Sequence, residues 1–193
     1  MLTIFIAIVF SALFNNALPL LAIQILWINL VTDGFPALAL GIDPSPKDIM
    51  ERSPKNPKEK ILSKETLIRM GIIGLTMMAG TLFVFKWYLN KDIQYAQTMA
   101  FSTLVAFQMF NVLNCRSQDK SIFKVGLFSN KWLIGAIVIS ILLQIAVIHT
   151  SLGILFKTVP LQLIDWMYVF LISSSVLIVI EIQKLVMPWL QKH

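Results

Sequence analysis

Asn29, Thr32 and Asp33 stand at i, i+3 and i+4 within a long apolar run, a spacing that puts three oxygen-bearing side chains on one face of a helix. Asp33 lies near the middle of that run. A charge there costs at least ~2.5–3.5 kcal/mol to insert into a membrane, so an intramembrane acid is by default a functional residue. Asn29 and Thr32 add neutral oxygens. Gly34, Phe35 and Pro36 follow directly. Pro36 has no N–H to donate and its ring crowds the carbonyl of Thr32, so the helix should be broken near Gly34 and Pro36, with carbonyl oxygens freed beside the carboxylate. Irregular backbone at membrane depth is tolerated where it is buried or lines a cavity, and broken helices that meet at the midplane hold ions in many transporters. Hard cations such as calcium take about six to eight oxygens, more than one helix supplies. The competing reading is a protonated Asp33 that bonds a neighbouring helix.

A second polar face is written into the stretch around TLVAFQMF. Gln108, Asn111 and Cys115 follow helical spacing, with Gln97 and Thr103 further back. Gln108 is either another oxygen ligand or an amide that bonds a neighbouring helix, which is common in membrane bundles. Gln144, His149 and Ser173 to Ser175 read as packing or interface residues, and Gly71, Gly74 and Gly80 as points of close helix contact. His149 and His193 are the sole histidines, so no zinc spacing exists, and a single cysteine, Cys115, leaves no internal disulfide.

The elements that must position these groups are membrane helices. Of the 193 residues, 57% are hydrophobic and 13% charged, and the mean hydropathy is +0.77; a soluble domain is about half apolar and about a quarter charged. The apolar excess sits in blocks, several of which reach the roughly 20 residues of a spanning helix. The expected fold is all-α: one polytopic bundle over residues 1–193 with about six spans, at 2–14, 19–42, 66–89, 96–115, 131–150 and 163–187. Segment 43–65 holds four of the eight prolines and should be an extended, solvated loop. The first block has no basic leader and no small-residue cleavage site, which argues against a signal peptide; it reads as a helix cut in its middle.

The net charge of +6 is spread over short loops rather than gathered on a basic, aromatic-interleaved face. Nucleic acid is therefore not an expected partner, and the charges read as topology signals and lipid headgroup contacts. Thirteen of the sixteen Lys and Arg fall in or beside segments 43–65 and 116–131 and at the C-terminal end; Lys86, Lys91 and Lys157 fall in the alternate loops. The richer side should be cytoplasmic, which places the C-terminus in the cytoplasm and makes the span count even.

The stretch QILWINLVTDGFPALALGIDPSPKDIMERSPK resembles the sixth transmembrane helix and following cytoplasmic loop of P-type calcium ATPases, through Trp27, Asn29 to Gly34, Pro36, Ala37, Ala39 to Gly41, Asp48 to Met50, Arg52 and Pro54. MAFSTLVAFQMFNVLN is similar to the eighth helix of that family, and the last two spans to the ninth and tenth. The resemblance implies that Asn29, Thr32 and Asp33 are cation ligands, with Gln108 at the position where the sarcoplasmic-reticulum type has a glutamate and the plasma-membrane type a glutamine. Sodium pumps carry an acid at the position of Asn29, which favours calcium as the transported substrate, with manganese as the second candidate.

The resemblance also implies a larger parent in a plasma membrane. This sequence contains no DKTGT phosphorylation motif, no nucleotide-binding or actuator domain and no Pro-Glu-Gly-Leu segment of the fourth helix. ATP and magnesium would act only through those parent domains, and the lipid bilayer and the rest of the pump are the expected partners. Alone, the chain should be catalytically inactive. The rival readings are a stand-alone small channel or carrier and a structural accessory membrane protein.

Overall fold

The computed structural model describes residues 17–42, 64–116, 126 and 130–190. The expected first span at 2–14 and nearly all of the 43–65 loop lie outside the described residues, as does most of segment 117–129. The described chain is all-α: α1 (Ala22–Trp27), a π-helical turn (Ile28–Thr32), α2 (Gly34–Gly41), α3 (Lys64–Leu89), α4 (Ile93–Asn114), α5 (Lys131–His149), α6 (Leu152–Phe156) and α7 (Leu163–Leu190).

Four segments among the described residues are long and apolar enough to cross a membrane: Ala22–Gly41, Thr66–Leu89, Lys131–His149 and Leu163–Lys184. The chain is thus a multi-pass membrane protein. α4 is 22 residues long and carries no charge, so it has the length of a span, but its Gln, Thr, Ser and Asn residues make it too polar to qualify. Its position explains how it tolerates them. α4 packs against both α3 and α7 and buries residues on every side, from Ala96 to Asn114. Side chains that lipid would penalise are enclosed by protein instead.

Two hydrophobic clusters join these three helices. Val84, Phe85 and Tyr88 of α3 meet Met99 and Ala100 of α4 and Val169 of α7, and Phe107 of α4 meets Val176 and Ile180 of α7. Gly80 makes room for the Phe107 ring of α4, since a Cβ there would lie 2.5 Å from it. Gly71 has open space around it and serves no such contact. The other half of the bundle is α1, the π turn, α2 and α5. Leu20, Ile28, Phe101, Val105, Val147 and Phe156 form one cluster there, and Ala39 packs on Leu133 and Ala136 of α5.

Caps define the helix starts. The Asp92 carboxylate accepts the N–H of Tyr95 at 2.8 Å, and Asn130 Oδ1 accepts that of Leu133 at 2.9 Å. Each satisfies a donor that the first turn leaves without an intrahelical partner. Asn130 also donates through Nδ2 to the Ala39 carbonyl at 3.2 Å, so one amide joins the start of α5 to the last turn of α2.

The irregularity of the second span lies one turn earlier than Gly34 and Pro36. Five residues, Ile28–Thr32, wind as a π turn, with the Asp33 N–H bonded to the Ile28 carbonyl at 2.9 Å. Gly34 and Pro36 then occupy the first turn of α2. Proline is tolerated in a first turn, where its fixed φ suits the helix. The extra residue is absorbed upstream as a wider turn, the commonest form of a π segment inside a helix.

Candidate cation site

Thr32 and Gln108 are brought together by the π turn and α4. The Thr32 side chain is buried, and its hydroxyl lies 2.8 Å from the Ile28 carbonyl and 3.1 Å from Gln108 Oε1. One hydroxyl proton is shared between these acceptors. The oxygen of Thr32 therefore keeps acceptor capacity on its other side. Gln108 is half-buried, and the contact fixes its amide by its oxygen.

Asn29 and Asp33 occupy a different face of the same segment. They are four residues apart across the wide turn, and both are exposed. Among the described residues, no side chain bonds either of them. The sequence reading put Asn29, Thr32 and Asp33 on one face, as an α-helix would. The π turn rotates that arrangement, so that Thr32 faces α4 while Asn29 and Asp33 face outward. The four candidates are thus split into an inward pair, Thr32 and Gln108, and an open pair, Asn29 and Asp33.

Asn111, one turn beyond Gln108, has a buried Oδ1 with no hydrogen-bond partner among the described residues. Gln97 Nε2 donates to the Leu18 carbonyl at 2.8 Å and so ties α4 to the chain entering α1. Cys115 is a free, exposed thiol. No three His, Cys, Asp or Glu side chains converge among the described residues. Asp33 is the sole carboxylate on the π-turn segment, and an ion held there would rely on amide, hydroxyl and carbonyl oxygens from several helices, the chemistry of a hard cation.

Two arrangements were not legible from spacing. Asp165, 4% exposed, receives the hydroxyls of Tyr88 at 2.9 Å and of Tyr95, and the Gln162 N–H at 2.9 Å. It joins the end of α3, the start of α4 and the start of α7. Trp27 Nε1 donates to Gln144 Oε1 at 3.0 Å, a link between elements more than a hundred residues apart. The signal for Gln144 was its isolation, a lone amide in the run ISILLQIAVI; that its partner is Trp27 could not be read from sequence.

The chain matches the family model described as cation transporting ATPase, C-terminus, over residues 17–186. It belongs to that family. Among its relatives are the calcium-transporting ATPase type 2C member 1 of Homo sapiens, 40% identical over 189 residues, which are 95% of this chain and 21% of the relative. The calcium-transporting ATPase of Bacillus subtilis (strain 168) is 41% identical over 169 residues, 86% of this chain and 19% of the relative. Calcium-transporting ATPase 1 of Saccharomyces cerevisiae is 38% identical over 186 residues, 94% of this chain and 19% of the relative. The chain therefore spans about a fifth of the length of these curated relatives. Within the cation-transporting ATPase C-terminal family it is a membrane-embedded helical domain, and the matched region takes in α1 to α6 and nearly all of α7.

Proposed function

We propose that this domain supplies part of the cation site of an ATP-driven pump whose transported substrate is calcium, with manganese as the second candidate. Asn29, Thr32, Asp33 and Gln108 are its contribution. The observation that carries this reading is the π turn, which leaves the Asp33 carboxylate and the Asn29 amide exposed and without a side-chain partner among the described residues, and directs a third oxygen toward Gln108. An unpaired intramembrane acid is costly, and a cation coordinated by it removes that cost. The names of the relatives, all calcium-transporting ATPases, support the choice of ion.

In this reading the bundle has six spans. The first is residues 2–14, and α4 is the fourth, shielded from lipid by α3 and α7. Segment 43–65 is a cytoplasmic loop, the C-terminus is cytoplasmic and the membrane is the plasma membrane. Phosphorylation in other domains, which use ATP and magnesium, shifts the helices between a state that grips the ion from the cytoplasm and one that releases it outside. Further carboxylates come from helices of the parent.

The stoichiometry is one calcium per cycle. Two divalent ions in a low-dielectric bundle repel strongly and need extra carboxylate charge to coexist, and Gln108 is neutral. Asn29 and Asp33 serve the retained site, while Thr32 and Gln108 line the remnant of a second. Equilibrium binding of calcium to the full-length pump, per phosphorylation site, should give a ratio near one. A ratio near two would overturn the assignment.

A further inference from the structure

The N-terminal edge of the π turn is held by contacts that the cation site itself does not use. Trp27 is the residue from which the turn starts. Its indole N–H donates to Gln144 Oε1 on α5 at 3.0 Å, and its ring meets that of Phe156 on α6 edge-on, with centroids 5.1 Å apart and planes at 74°. Gln24, fully buried, adds a second tie, since its Nε2 donates to the Phe156 carbonyl at 3.1 Å.

Gln144 is the informative member. It is 1% exposed in the most apolar of the four spans. Its Nε2 is buried without a hydrogen-bond partner among the described residues. A buried amide that is only half satisfied destabilises the fold relative to an apolar residue of the same shape. Its single described side-chain partner is Trp27. The bond it does make fixes where the Trp27 indole sits.

That control has a geometric consequence. Each residue of a helix advances the side-chain direction by about 100°, and a π turn differs from an α turn by one residue. If the edge at Trp27 is released, the turn can rewind, and residues 29 to 33 rotate with it. Asn29 and Asp33 have no described partner of their own to resist this, so their direction is set by the backbone on either side. The C-terminal edge is held by the Thr32–Gln108 contact and by Asn130 on Ala39.

We propose that Gln144 and Trp27 are positioning residues for the cation site: the bond between them holds the π turn in register and so aims Asn29 and Asp33 at the ion. The inference rests on the calcium-site reading above. Neither residue touches the ion. The bond acts on cation affinity and leaves the phosphorylation chemistry elsewhere in the pump unchanged.

The test is a double-mutant cycle in the full-length pump with Trp27→Phe and Gln144→Leu. Calcium affinity is read by equilibrium binding, and phosphoenzyme formed from inorganic phosphate without calcium is read in the same preparations. Each single substitution is expected to weaken calcium about three- to tenfold, the worth of one hydrogen bond, and the double substitution no more than either alone. Phosphoenzyme from phosphate should be unchanged, which a general packing defect would not allow. Gln144→Glu, protonated in its apolar site and isosteric with glutamine, keeps the acceptor and should restore affinity to within about twofold. Additive losses, equal losses in both readouts, or no loss would overturn the proposal. Asp33→Asn run in parallel separates the two ideas. If it too leaves calcium binding intact, the calcium-site reading fails. If it abolishes binding while the cycle shows nothing, the positioning role alone fails.

Discussion

The segment α1–π–α2 and the helix α4 are both polar for membrane helices, but α4 encloses most of its polar side chains whereas α1–π–α2 leaves Asn29 and Asp33 exposed. In α4 two hydroxyls turn back on the helix, while the Thr103 hydroxyl and the side chains of Asn111 and Asn114 have buried polar atoms without a hydrogen-bond partner among the described residues. Thr98 Oγ1 donates to the Gln94 carbonyl at 2.8 Å and Ser102 Oγ to that of Thr98 at 2.8 Å. The Thr103 carbonyl receives Ser173 from α7 at 3.0 Å. In α1–π–α2 the helical winding itself is irregular, and Asn29 and Asp33 stand without described partners. Polarity in a membrane helix therefore has two meanings. Where partners are close, it joins helices; at the π turn it leaves an amide and a carboxylate exposed, the feature on which the proposed cation site rests.

Substitutions can break or sharpen that contrast. The largest effect is expected at the open face. If Asp33 holds the ion as proposed, Asp33→Asn should weaken calcium binding by the full-length pump at least about a hundredfold through loss of a unit charge beside a divalent ion, while the thermal stability of the detergent-solubilised protein changes by less than about 1 kcal/mol. A stability loss larger than the affinity loss would place Asp33 with the structural acids. Asp165→Ala should do the reverse. It strands the hydroxyls of Tyr88 and Tyr95 and the Gln162 N–H, and is expected to lower stability by about 2–5 kcal/mol with calcium affinity intact. The smallest effect is expected inside α4. Ser102→Ala removes a hydroxyl bonded only to its own helix, and should cost less than about 1 kcal/mol by the same unfolding measurement. A larger loss would show that the α4 hydroxyls do more than satisfy themselves.

Much of this was legible in the sequence because the membrane constrains it so tightly. Block lengths located α3, α5 and α7 within a few residues, and the charge of Asp33 in an apolar run singled out the π-turn segment. The proline identified the irregular helix but misplaced the irregularity by a turn, because the chain takes up its extra residue where a carbonyl can still find a donor, at Ile28 and Asp33. The single-face reading of Asn29, Thr32 and Asp33 assumed 3.6 residues per turn, and a wider turn divides them. Asp165 stands at the start of the last span; its burial comes with bonds from Tyr88 and Tyr95, and no local periodicity encodes that contact. Gln144 and Ser173 were rightly read as packing residues, although the identity of their partners required three dimensions.

The bonds that fasten the α1–π–α2 segment also impose an order on its assembly. Thr32, Asn130, Trp27 and Gln24 reach across 76, 91, 117 and 132 residues of sequence respectively. In every case the partner of α1, the π turn or α2 lies further along the chain. At ribosomal speeds of about 5–20 residues per second, that is on the order of 4 to 26 seconds of synthesis. Until Gln108 is made the segment has none of these fastenings available, and the last of them waits for Phe156. The second span is thus fastened only as later helices are made, and mutations that slow synthesis between α2 and α6 are expected to act first on assembly of the bundle.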